Sequence, residues 1–380
     1  MSDWIFHEFG IELDVTEPKS KTAAVEDGIM VSGAPVNAGS RMLEGIISPI
    51  EADCVSRLRD SGEVSLRYIT RAPEFGLAGW ENESEDVPGA VSAVADGAVD
   101  FALARDLFGE LGRAAISHGQ CYLRPSFGTV SRYGLVPIMA SGDQVGVCAP
   151  NVESAFGALE LIAAYDARDS LSLERSEYAF NAADAEITVG ISEPVLARCG
   201  GTASVPIRRL AEKFPCRPIE LSCFELMPHI LQTILSAEFT GNASRYDGLR
   251  YGYRAENTNG LDALYSRSRT EGFGSEAKLA LVTGALVLSA DYYDGLYDRA
   301  LRLRRIIAEE TARIFETVRV IALPTDMENA SPFERCALYA LAPLAGLPAL
   351  SLPYSGGGLT LFAAPGDENA ILTLAERMVD

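Results

Sequence analysis

Apolar residues recur with helical spacing along much of this chain. Ala52, Val55 and Leu58 line up one turn apart before a glycine, which predicts a surface helix. The stretch 152–165 shows the same spacing. Between residues 274 and 318 the pattern continues long enough to predict long amphipathic helices.

Shorter apolar runs predict strands. The β-branched run 318–323 ends in Pro-Thr and predicts a buried strand of the parallel type. Two further strands are predicted at 186–191 and 218–222. The runs 347–353 and 359–362 lie on either side of Ser-Gly-Gly-Gly, and this arrangement predicts a hairpin.

Composition and charge narrow the class of protein. The chain has 380 residues, 48% of them hydrophobic, which is enough for a sizeable core. A formal net charge of −21 disfavours direct binding to nucleic acid or to an anionic membrane, because phosphate would repel it at long range. We therefore expect no direct nucleic-acid or membrane contact.

The cysteines and the N-terminus indicate a cytoplasmic protein. The seven cysteines are scattered, without the close pairs of a zinc ribbon or a redox motif. The first residues are acidic, unlike a signal peptide, and no apolar run reaches the roughly 18 residues of a membrane span. We expect a soluble chain that needs neither a metal nor another cofactor.

Several longer motifs resemble one known family. They are Arg124-Pro-Ser-Phe-Gly, Ser131-Arg-Tyr-Gly-Leu-Val, Arg245-Tyr-Asp-Gly-Leu-Arg-Tyr-Gly-Tyr, Ser268-Arg-Thr-Glu-Gly-Phe-Gly and Leu288-Ser-Ala-Asp-Tyr-Tyr-Asp. These motifs resemble those of amidase signature enzymes. The form they resemble is the A subunit of the tRNA-dependent glutamyl/aspartyl amidotransferase. The resemblance implies an α/β fold with a mixed central sheet flanked by helices on both faces. A short lead-in, 1–22, would precede a single domain, 23–380.

The family's Ser-cis-Ser-Lys triad is degenerate in this sequence. The run 24–29 resembles the segment that carries the catalytic lysine, and its lysine position is Glu26. The family's Ala-Leu-Gly-Ser-Asp-Thr-Gly-Gly-Ser run aligns with 102–110, where Asp106 and Gly109 remain and the nucleophile position is Glu110. After Gly89 about five residues are missing, which removes the cis-serine. By this resemblance no catalytic residue is intact.

Two explanations of these replacements stay open. The family mechanism needs a serine activated through a relay to a neutral lysine, and a glutamate cannot take either role unchanged. Alternatively another serine, such as Ser92, Ser117 or Ser126, is the nucleophile. Lysines are few, however, since only Lys19 and Lys21 precede residue 213.

The replacing carboxylates invite a second question. Glu26, Asp106 and Glu110 would converge where lysine and serine met, and such a cluster raises its own pKa values or recruits a cation or an arginine. The simpler prediction is that Glu26 is solvated and that Glu110 pairs with Arg105 or Arg113.

The resemblance also implies a remnant glutamine pocket. Its residues would be Asp106, Gly109, Tyr246, Arg250 and Tyr251, which match the family motifs. An arginine that the resemblance places at the substrate carboxylate is replaced by Leu279-Ala280. The leading hypothesis is a pseudoenzyme, a structural or regulatory partner of amidotransferase-like subunits. The alternatives are an active amidase or glutaminase with a relocated nucleophile or a carboxylate site, and a small-molecule binding module. In the family the A component forms a complex with a B component that carries tRNA and with a small C component.

Overall fold

The structure is a computed structural model that describes residues 5–8, 10–13, 18–77, 87–182 and 186–379. Its strands form one mixed sheet with the order β1-β2-β4-β3-β5-β7-β6-β11-β12-β10-β8-β9. The strands are β1 (Ile5–His7), β2 (Gly10–Glu12), β3 (Lys21–Glu26), β4 (Val64–Thr70), β5 (Phe101–Arg105), β6 (Cys121–Arg124), β7 (Val145–Ala149), β8 (Val189–Ile191), β9 (Cys216–Pro218), β10 (Val320–Pro324), β11 (Ala349–Tyr354) and β12 (Gly357–Ala363).

Helices connect most of these strands. They are α1 (Asp53–Asp60), α2 (Gly89–Ala95), α3 (Glu110–Ser117), α4 (Val152–Ile162), α5 (Glu193–Cys199), α6 (Val205–Lys213), α7 (Met227–Ala243), α8 (Leu261–Gly272), α9 (Ser275–Val287), α10 (Arg299–Phe315), α11 (Pro332–Arg335), α12 (Leu341–Ala345) and α13 (Glu368–Val379). A π-helical segment, Tyr293–Asp298, leads directly into α10. Within the described part of the chain, no helix is both long and apolar enough to cross a membrane.

Side chains along the central strands alternate between the two faces of the sheet and so divide the core into two layers. Ala23 and Val25 of β3 pack with α1, α4, α6 and α13 on one face of the sheet. Ala24, between them, packs on the other face with α2, α3, α7, α9 and α12. Because successive strand side chains point to opposite faces, a sheet buried on both sides needs helices on both. The predicted architecture, a mixed sheet flanked on both faces, is confirmed.

Strands β3 and β5 position the site. They run parallel as neighbours, with Val25 opposite Leu103, so their carboxyl ends meet at one edge of the sheet. Glu26 is the last residue of β3 and Arg105 is the last residue of β5. Helix α3 begins five residues after Arg105, at Glu110.

Several local predictions are confirmed or corrected. The hairpin of β11 and β12 and the buried strand β10 are present, and β10 pairs in parallel with β8. The strand predicted at 218–222 is wrong, since the chain pairs at Cys216–Pro218 instead. The strand predicted at 186–191 is limited to Val189–Ile191. In the predicted lead-in, β1 and β2 form a hairpin that joins the sheet through β4. The boundary at residue 22 stays a prediction.

Candidate functional site

A buried ion pair occupies the carboxyl ends of β3 and β5. Glu26 Oε1 accepts hydrogen bonds from Arg105 Nη2 at 2.9 Å and from Nε at 3.3 Å. Its other oxygen, Oε2, accepts from the backbone N–H of Arg105 at 2.7 Å. The two side chains are 5% and 3% exposed. A carboxylate held by three donors in a buried place is fixed in position.

The prediction that Glu26 is solvated is therefore wrong, and Arg105 pairs with Glu26. Burial works against the charge on Arg105, but Glu26 and then Asp143 outweigh it, and the pKa of Arg105 is raised above its usual value. The remaining nitrogen, Nη1, donates to the carbonyl of Val136 at 2.7 Å. Clustered carboxylates either raise one another's pKa values or recruit a positive charge, and here Glu26 has recruited an arginine.

Gly28 leaves room for this pair. Its φ is 150°, and a Cβ built there would lie 2.4 Å from Arg105 Nη2. That distance is far below any real contact, so a larger residue would displace the guanidinium. The backbone beside β3 is therefore fitted to an arginine at position 105.

Asp106 shapes the turn that leads into α3. Its Oδ1 accepts from the backbone N–H groups of Phe108 and Gly109, at 3.0 and 2.7 Å, and its Oδ2 accepts from that of Gly112 at 3.1 Å. Gly109 has a φ of 77°, and a Cβ there would lie 2.7 Å from the Cβ of Tyr339. The two residues that match the family run thus hold the backbone. Three N–H groups that could otherwise stabilise an oxyanion are already bonded.

The cavity at this edge of the sheet is small. Glu26, Arg105, Asp106 and Glu110 all line it, so the sequence prediction that these carboxylates converge is confirmed. Its volume is about 30 Å³ among the described residues. That is far below the roughly 300–1,000 Å³ of common ligand pockets.

The beginning of α2 borders the same cavity, which Pro88 and Ala90 help to line. The deletion after Gly89 stays a prediction. Residues 78–86 lie outside the described part of the chain.

None of the three alternative serines lines the cavity. Ser92 is half-buried on α2, and Ser117 is exposed at the end of α3. Ser126 is fully buried, where its Oγ accepts from the N–H of Gly366 at 2.7 Å and its own N–H donates to Glu368 at 2.8 Å. These contacts tie β6 to the start of α13.

The tyrosines and the arginine of the predicted glutamine pocket make their own local contacts. Tyr246 is buried and stacked on Phe75, with ring centroids 5.8 Å apart, and burial raises its pKa to about 12. Arg250 is exposed and pairs with Asp247, and the Tyr251 hydroxyl donates to a backbone carbonyl. Of the five predicted pocket residues, Asp106 lines the cavity, whereas Gly109, Tyr246, Arg250 and Tyr251 do not.

A metal centre has no support in the described residues. No group of three or more His, Cys, Asp or Glu side chains is arranged there to hold a metal ion. Glu26 is instead neutralised by Arg105.

With this geometry established, comparison with known proteins is informative. A model of the family described as Amidase matches residues 88–372. The chain belongs to the amidase family. The A component of the glutamyl-tRNA(Gln) amidotransferase of Akkermansia muciniphila is 34% identical over 367 residues, which cover 87% of this chain and 78% of that protein. The corresponding protein of Synechococcus sp. strain RCC307 is 32% identical over 378 residues, covering 90% and 78%.

Solved structures give the same fold. The A component of the Thermotoga maritima glutamyl-tRNA(Gln) amidotransferase superposes with a TM-score of 0.73 at 21% identity, covering 97% of this chain and 86% of that one. The peptide amidase of Stenotrophomonas maltophilia has a TM-score of 0.70 at 22% identity, covering 95% and 83%. At this identity the likeness concerns the amidase fold alone.

Sequence reasoning missed the partner of Glu26. It considered Arg105 only as a partner of Glu110, because the two lie close in sequence. The available signal was that the alignment by resemblance predicts two charged residues, Glu26 in the run 24–29 and Arg105 in the run 102–110, at positions of the family's lysine and serine. Opposite charges introduced on adjacent parallel strands point to a pair.

Proposed function

We propose that this chain is an amidase-family protein without amide-cleaving activity, which serves as a structural or regulatory subunit of an amidotransferase-like assembly. The observation that carries the proposal is the buried ion pair of Glu26 and Arg105. It occupies the position at which the family resemblance places the catalytic lysine.

The pair is unsuited to the family's relay. That relay ends in a neutral amine that accepts a proton from the serines. An arginine keeps its charge at all physiological pH values, and here it is bound to a carboxylate and to the carbonyl of Val136. No neutral amine is available at this position.

The surroundings of Glu110, the predicted nucleophile position, support the same conclusion. Glu110, at the first position of α3, borders a cavity of about 30 Å³ in the described structure. The N–H groups of Phe108 and Gly109 already donate to Asp106. A substrate amide beside Glu110 would therefore find both of these backbone donors already bonded.

The relatives support a role within an assembly. Each of the two curated relatives is the A component of a glutamyl-tRNA(Gln) amidotransferase, and this chain aligns with 78% of their length. A chain that keeps this framework while a buried ion pair occupies its candidate site is suited to hold partner subunits. We expect amidotransferase-like chains as partners.

Native composition tests the assembly role. The tagged chain, purified gently from its own source, should return in a fixed ratio with amidotransferase-like subunits. Native mass spectrometry and light scattering would give that ratio. Recovery of the chain without any other protein would contradict the assembly role and leave its catalytic state as a separate question.

A further inference from the structure

Exposed apolar side chains concentrate at one end of the α9–α10 region. Of the 17 large hydrophobic residues that are exposed in the described structure, eight lie between residues 282 and 306. Six of them follow one another through the end of α9 and the π-helical segment. This surface, here called the apolar tip, consists of Val282, Leu286, Leu288, Tyr292, Tyr293 and Leu296.

The apolar tip is larger than scattered surface residues would make it. Its members are between 38% and 68% exposed. A large aromatic side chain has an area of about 150–250 Å², and aliphatic ones have somewhat less. At these exposed fractions the six side chains together present on the order of 500 Å² to solvent. The largest apolar patch on a monomer is commonly about 300–600 Å² and often marks an interaction site.

Helix α9 points to the same conclusion. It buries Ala277, Ala280 and Gly284 against the core, mainly on α7, yet presents Val282 and Leu286 to solvent. The prediction that this helix is amphipathic is wrong for its second half, where the outer face is apolar too. Its first turn carries Ser275, Glu276 and Lys278. An outer face that is apolar is normally covered by another surface.

Charge indicates what covers the tip. Residues 282–306 contain three aspartates, four arginines and no other charged residue, so the segment is nearly neutral. The whole chain carries −21. Two copies would repel each other over most of their surfaces, but they can approach here without that penalty.

The charges are also arranged to complement a second copy. Asp294 lies at the beginning of the continuous π/α10 helix and Arg305 lies eleven residues later, about 16 Å along the axis. Arg305 pairs with the exposed Glu309 of α10, and Arg302 pairs with the half-buried Asp298 of the π-helical segment. Such surface pairs exchange at little cost. In an antiparallel arrangement, each acidic end would face the partner's basic end.

We propose that the apolar tip binds the same surface of a second copy of this chain and forms a two-fold symmetric dimer. The tip and its flanking arginines approach the area of about 800 Å² that each partner contributes to a stable interface. The proposal concerns self-association and does not rest on the catalytic state of the chain.

Sedimentation velocity over a concentration series tests this dimer. The wild-type chain should sediment with twice its mass of 40.7 kDa. The variants Leu286→Asp and Tyr293→Asp should raise the dissociation constant about 30-fold or more, as loss of a buried anchor does. Both side chains are exposed, so the fold should persist. A matched control is Leu261→Asp, which changes a residue 64% exposed on α8 and should remain dimeric.

A charge exchange tests the arrangement itself. Asp294→Arg and Arg305→Asp should each weaken the dimer, and the double variant should recover most of the loss. A monomeric wild type at all concentrations would overturn the proposal. So would variants of the tip that leave the dimer intact, or a tip that instead binds a different chain in a fixed ratio. That last result would leave the subunit role standing.

Discussion

Two charge-rich regions of this protein are built on different principles. At the candidate site the buried arginine Arg105 pairs with the buried carboxylate Glu26. In the segment that follows β6, Arg132 pairs with Asp169, while Arg168 pairs with both Asp166 and Asp53. This second network lies in the stretch whose motifs match the amidase family most fully.

The second network is redundant. Asp169 accepts from the Arg132 side chain, from the backbone N–H of Arg132 and from that of Leu171. Asp53 binds Arg57 as well as Arg168. Arg168 is half exposed, so water compensates part of any loss. The pair at the candidate site has no comparable reserve, because a buried charge without its partner is uncompensated.

The largest effect should follow removal of Arg105. Arg105→Met leaves Glu26 buried without its counter-charge, and we expect a loss of about 3–5 kcal/mol in the free energy of unfolding. Urea denaturation would measure it. The double variant Glu26→Leu with Arg105→Met should recover most of the stability, because well-packed apolar residues replace buried pairs at little cost.

The control for this variant is Arg198→Met. Arg198 pairs with Glu334 at the surface, both side chains being about 40% exposed or more, so the loss should be below about 1 kcal/mol. If Arg105→Met cost no more than this control, the Glu26–Arg105 pair would not be the buried charge centre described here.

The pH dependence should separate the two regions by its sign. Burial raises the pKa of Asp143 beside Arg105. Burial also works on Asp169, but the hydrogen bonds from Arg132 outweigh it and lower the pKa of that carboxyl. A carboxyl whose pKa is lowered by folding stabilises the protein at pH values above its unfolded pKa, about 3.9. This contribution is lost as the pH falls. A raised pKa stabilises below that value, and the contribution is lost as pH rises through the folded pKa.

Asp169→Asn should therefore flatten the loss of stability on the acid side, below about pH 4. Asp143→Asn should flatten the loss of stability that begins as the pH rises above about 4. Denaturation midpoints measured between acid and neutral pH would show both slopes. Identical slopes in the two variants would mean that the carboxylates do not differ as the structure indicates.

Much of the fold could be predicted from the sequence because its signals are local. The helix at Ala52–Leu58 and the hairpin around Gly356 follow from spacing and turn residues. Strand β9 could not be predicted, since Cys216–Pro218 is exposed and pairs only through its backbone with β8. The apolar outer face of α9 was hidden within a pattern that suited an amphipathic helix.

The candidate site was predictable in its members but not in its contacts. The family resemblance brought Glu26, Asp106 and Glu110 together, and the structure places all three around one cavity. The pairing of Glu26 with Arg105 depends on two strands whose adjacency no local pattern reports. The size of the cavity likewise depends on packing contributed by α2 and by residues 71–76.

Ammonia release by the purified chain tests the central claim most directly. Glutamine and simple amides should give no release above the buffer rate, and Glu26→Gln, Glu110→Gln and Ser126→Ala should change nothing. Turnover of any of these amides that a single serine or glutamate substitution abolishes would contradict the account, because it would place a working nucleophile in this chain.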